Sequence, residues 1–142
     1  SGYVVGGNGS AADIIGVLNG IFFNAADTLK PTFSNFYKAT ITPANSEDTT
    51  AFVIDDPFQQ YVVAADAATG VATFLETYDM NSSAGDDTTG KSSSTLDIGT
   101  TSANGKQFRM LRSAEDPENE DATAVRHSVI VVSNLNSFNG HN

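Results

Sequence analysis

The sequence predicts an all-β protein, a compact β-barrel or β-sandwich with long polar loops and at most one short helix. Three observations carry that expectation. Short apolar runs recur along the chain, each closed by Gly, Pro, Asn or Asp. Hydrophobic residues make up 39% of the chain, with nine Phe and four Tyr, enough to build a core. Charged residues make up only 17%, and Ser, Thr, Asn and Gly fill the surface in their place, the balance of a loop-rich β protein. At 142 residues the chain suits a single β-rich domain, 1–142, burying roughly 70% of its unfolded surface. Residues 1–13, which hold the flexible GGNGS, read as an extended arm or as the remnant of a longer N-terminal part.

Each element follows from local pattern. Ile14 to Phe23 reads as a strand whose glycines mark a bulge or a close backbone approach. Asn24 to Ser34 reads as a loop around Lys30 and Pro31, anchored by Phe33. NFYKATI alternates as a strand does, and PANSED, residues 43–48, is turn material. In TAFVIDDPFQQYVVAADA two apolar runs flank Asp55, Asp56 and Pro57. Proline cannot donate to a sheet ladder and aspartates cap turns, so this acidic stretch reads as a corner between strands, not a reactive site. The second run, FQQYVVAA, is apolar at alternate positions on both sides, the pattern of a strand covered on both faces. VATFLETYDM, residues 71–80, is ambiguous, because Val71, Phe74, Leu75 and Tyr78 fit a short helix. SSAGDDTTGKSSS is a polar loop, STLDIGTT a short strand, and KQFRMLR a half-buried strand with Phe108 and Met110 alternating against Arg109. RHSVIVVSNL is the clearest strand, with Val129 and Val131 on one face and Ile130 and Val132 on the other.

Charge narrows the classes of function. Seven Lys and Arg against seventeen Asp and Glu leave a net charge of −10. Nucleic-acid binding draws its affinity from cations that displace condensed counterions, so neither nucleic acid nor an anionic membrane is an expected partner. With no cysteine there are no disulfides and no thiolate metal sites.

Candidate chemistry is sparse. Glu115, Asp116, Glu118, Glu120 and Asp121 form an acidic loop in which positions 116, 118 and 120 resemble the opening of a calcium loop. The glycine and the closing glutamate such loops need are missing, so a solvated loop is the better reading. AGDDTTG reads as a hairpin or an Asx-type turn. His127 and His141 are too few for a three-ligand zinc site, and His127, beside Arg126, is expected to face solvent or a neighbouring subunit. No nucleophile elbow, dinucleotide fingerprint or phosphate loop occurs. No catalytic residue, cofactor or metal is therefore assigned, and the protein is not expected to be an enzyme. Lys106, Arg109 and Arg112 place a cationic strand directly before the acidic loop, which suggests reciprocal docking between copies. The candidate interface is thus Arg109, Arg112, Glu115, Asp116, Glu118, Glu120 and Asp121.

Taken in order, AFVIDDPFQQYVVAADA, AGDDTTGKSSSTLDIGTT, KQFRMLRSAEDPENED and VVSNLNSFNGHN resemble the capsid decoration (cement) proteins of tailed bacteriophages, over roughly residues 14 to 142. The resemblance implies a structural virion protein, located at the capsid surface, that binds the major capsid protein and stabilises the shell. It also implies assembly with copies of itself, as a homo-trimer or other oligomer, and it brings no catalytic residues. Two alternatives stand beside it: another virion component such as a tail or fibre module, and a carbohydrate-binding β-sandwich using Tyr37, Tyr61 or Tyr78.

Overall fold

A computed structural model describes residues 14–38, 40–119, 121, 124 and 127–134. The segment 1–13 and the tail NSFNGHN lie outside the described residues, as do Glu120, Arg126 and His141. Eight strands form two antiparallel sheets. In the smaller, β1 (Val17–Asn24) runs between β2 (Pro31–Ser34) and β3 (Thr50–Ile54). In the larger, β4 (Gln60–Ala64), β5 (Thr77–Asn81), β6 (Thr95–Ser102), β7 (Phe108–Ser113) and β8 (Ser128–Ser133) lie in the order β4-β8-β7-β5-β6. Helical structure among the described residues is limited to single 3-10 turns at 44–46, 71–73 and 117–119. The fold is all-β and sandwich-like, and it is not a closed barrel. The large sheet curls until its edge strands touch at one parallel bridge, Ala65 to Leu96. Asp66 secures that seam: its N–H donates to Leu96 O at 3.0 Å, and its Oδ1 accepts the Ile98 N–H at 3.0 Å.

The core fills the concave side of this curl. Tyr78, Leu96, Phe108, Met110, Val129 and Val131 are buried together, with Tyr61, Val63, Met80 and Ile98 packed against them. Strand register explains the grouping, since Tyr61 opposes Val131, Val63 opposes Val129, Met110 opposes Val131 and Met80 opposes Leu96. Directly opposed residues share a face, so alternate residues of each strand turn inward together. Tyr61 and Phe108 meet edge to face with ring centroids 6.4 Å apart, a favoured aromatic geometry.

Contacts between the two halves of the fold come from segments flanking the small sheet. Ile14, just ahead of β1, packs against the large-sheet core. Phe36, in the segment after β2, lies on Gly90 of the loop between β5 and β6. A Cβ at Gly90 would stand 2.3 Å from the Phe36 ring, and its φ of +72° also favours glycine. The stretch Asp55-Asp56-Pro57 is indeed a corner: β3 ends before it in one sheet and β4 begins after it in the other. Asp56 Oδ1 caps the corner by accepting the Phe58 N–H at 2.9 Å.

Several local expectations change. The loop expected over Asn24 to Ser34 contains β2, and Phe33 is 61% exposed instead of anchoring anything inward. Residues 35–38, 40 and 41 of the expected NFYKATI strand are irregular; Phe36 is half-buried against the neighbouring loop. The helix-like 71–80 resolves into one 3-10 turn followed by β5. β4 is covered on one face only, and Val62 on the other is 68% exposed. The irregularity expected in the first strand is a bulge between Leu18 and Gly20.

Candidate functional site

Of the residues expected at an interface, Arg109 and Arg112 lie on the convex side of the large sheet. Arg109 opposes Val132 and Arg112 opposes Ile130, while Gln60 and Val62 oppose Val132 and Ile130 from the other side. Because opposed residues share a face, Val62, Ile130 and Val132 form an apolar strip, bordered along β7 by Arg109 and Arg112. The bulge between Met110 and Arg112 is what keeps both arginines on this side although they are three residues apart. Ile130 and Val132 are half-buried, and Phe58, ahead of β4, is 80% exposed.

The two arginines are held differently. Arg112 Nη1 meets Glu115 Oε1 at 2.7 Å, with both side chains largely exposed, so the pair contributes only ~0–1 kcal/mol. Arg109 is bound more fully: its guanidinium donates to Leu75 O, to Asn104 Oδ1 at 3.0 Å and to Asn134 Oδ1 at 3.2 Å. It ties three segments together at the rim of the strip.

The acidic loop is a built turn. Asp116 Oδ1 accepts the Glu118 N–H at 3.0 Å, opening the 3-10 turn at 117–119. Asn119 locks that turn onto the start of β8: Nδ2 donates to Ala114 O and Ser128 O at 3.0 and 2.8 Å, and Oδ1 accepts the Ser128 N–H at 2.7 Å. Glu115, Asp116, Glu118 and Asp121 are exposed, so their charge lies at one end of the strip. Glu120 lies outside the described residues. Asp86 makes the expected Asx turn, and hydrogen bonds from Thr88 and Thr89 hold its carboxyl below the ordinary aspartate value.

Two further polar groups are buried. His127 was expected at the surface, but it is 3% exposed, with Nε2 3.0 Å from Ser113 Oγ. Its Nδ1 has no hydrogen-bond partner among the described residues. Asp79, buried on β5, directly opposes Asp97 on β6, a like-charge pairing that costs stability. Lys106 offsets it with a 2.8 Å ion pair to Asp79 Oδ2, closing the loop before β7 over β5. Sequence reasoning missed both, although His127 has the same strand parity as the inward Val129 and Val131. Among the described residues no group of three or more His, Asp or Glu is placed to hold a metal ion. Comparisons with known protein families, with curated proteins and with solved structures found no match.

Proposed function

We propose that the protein is a structural virion component that binds the outer surface of a tailed-phage capsid and reinforces the shell. Its partners on this reading are the major capsid protein and further copies of itself, and it carries out no reaction. The single observation that supports it is the convex face of the large sheet. A sheet with one solvated face normally presents polar residues there. Here the middle of that face is Val62, Ile130 and Val132, with two arginines along one side and an acidic turn at one end. An apolar centre with a charged border suits adhesion to another protein, the border setting orientation more than affinity. On a lattice, many identical weak contacts add avidity. That the lattice is a capsid rests on the ordered resemblance of the sequence to capsid decoration proteins.

Co-sedimentation with capsids stripped of accessory proteins tests the reading. The protein is expected to pellet with the shells and to raise the temperature at which they release their contents. Val62→Asp places a charge on an exposed position, leaves the fold intact and is expected to weaken pelleting roughly tenfold or more. Failure of the parent protein to pellet, or equal pelleting of the variant, removes the proposal.

A further inference from the structure

Among the described residues the small sheet carries a second uncovered face, of different chemistry. On its outer side Phe22 of β1 directly opposes Phe33 of β2, and Phe52 of β3 opposes Gly20 of β1. The three rings are 39%, 61% and 47% exposed. Phe33 and Phe52 approach to 6.1 Å between centroids, tilted by 49°, across the space that Gly20 leaves free. A Cβ on Gly20 would lie 2.5 Å from Phe33 Cζ, so the missing side chain is what lets the ring lie flat over the strand. The result is a contiguous aromatic surface where a solvated sheet would carry polar residues.

Charge says what fits there. Asn24 lies two residues beyond Phe22 on the same side of β1, and its Nδ2 donates to Glu47 Oε2 at 3.0 Å. This brings a carboxylate to the border of the aromatic surface, with Asp48 next in the chain. Asp55 and Asp56 follow the far end of β3, so carboxylates bracket that strand at both ends. The exposed faces of phenyl rings are themselves electron-rich and attract cations. Lys38, whose Nζ sits 5.3 Å from the centre of the Phe36 ring, shows the same pairing within the chain. A second copy, with a net charge of −10, brings the wrong sign to such a surface.

We infer that the Phe22–Phe33–Phe52 face is a docking site for a cationic segment of another protein. In it, arginine or lysine side chains lie over the rings and reach the Glu47 carboxylate, and their apolar neighbours cover Phe22. The site is separate from the convex face of the large sheet, and it stands or falls independently of the capsid reading.

The test is binding of a short synthetic peptide of alternating arginine and leucine, with two control peptides: glutamate replacing arginine, and serine replacing leucine. Anisotropy titrations are expected to show binding of the first peptide, no binding of the glutamate peptide, and weaker binding of the serine peptide. The double variant Phe33→Ser, Phe52→Ser leaves the net charge untouched, which separates the face from general attraction by an acidic protein. It is expected to lose roughly tenfold or more in affinity, and Glu47→Gln a few-fold. Amide shifts in the parent protein supply a reading that needs no variant: residues of β1 to β3 are expected to move and those of β5 to β7 to stay. The inference is overturned if the double variant binds as the parent does, if the glutamate peptide binds equally, or if the shifts fall on the large sheet. It is also overturned if the parent self-associates without peptide and the double variant is monomeric, because a second copy would then be the occupant.

Discussion

Tyr61 shows how one side chain couples the corner between the sheets to the core. Its ring packs on Phe108 inside the large sheet, and burial, helped by the nearby charge of Asp56, lifts its phenol above the ordinary value of 10.0. A pKa raised on folding means that the native state holds the proton more tightly than the unfolded chain. The associated stability is complete below about pH 10 and is lost as pH rises through the folded value. Asp56→Asn keeps the oxygen that caps the Phe58 N–H but removes the charge. An NMR titration is expected to bring the Tyr61 midpoint down towards 10.0 without reaching it, since burial remains, and the variant is expected to stay folded to higher pH. An unmoved midpoint would refute the role given to Asp56. At this scale the sequence was only partly informative. Asp56 was legible as a turn former because its chemistry is local. The Asp79–Lys106 pair was not, since it joins residues far apart in the chain, and nothing near either one announces the other.

Among the elements, β4, β6 and β8 were legible as short runs between turn signals, and β7 through alternation. Alternation failed where burial is achieved another way. Residues 35–41 alternate, yet Phe36 satisfies its apolar side chain on Gly90 with no ladder. β2 went unread because it has only four residues and begins with a proline, which is tolerated where its missing N–H leaves no gap in a ladder. The faces of β4 were misjudged for a related reason: a pattern apolar on both sides cannot distinguish a strand covered on both faces from one with an exposed apolar face, and β4, with Val62 68% exposed, is of the second kind. Asn119 fastens the turn at 117–119, opened by Asp116, to the start of β8. Asn119→Ala removes three hydrogen bonds and leaves the Ser128 N–H without its acceptor, a loss of about 1–3 kcal/mol. Faster hydrogen exchange at the Ser128 amide and a lower melting temperature are expected. An unchanged exchange rate there would show that the acidic turn is held by other contacts.

For the molecule as a whole, the order of strands matters as much as their chemistry. β8 is the last described strand, yet it lies between β4 and β7 and carries Val129 and Val131 into the core. Stopping the chain after residue 127 is expected to abolish the cooperative thermal transition, and a sharp melt in that truncated protein would contradict it. Among the described residues, the pairing left beside β4 would be the bridge at Ala65, just beyond its end. During synthesis this arrangement sets a clock. The small sheet can assemble while the ribosome is still working, since its three strands are complete by residue 54. The large sheet must wait, its ladder between β4 and β7 unmade, until residues 128–133 clear the exit tunnel. For that interval Tyr61, Val63 and Met110 are exposed to whatever else the cell contains, and a chaperone that shields them would raise the yield of native protein more than one acting on the first fifty residues.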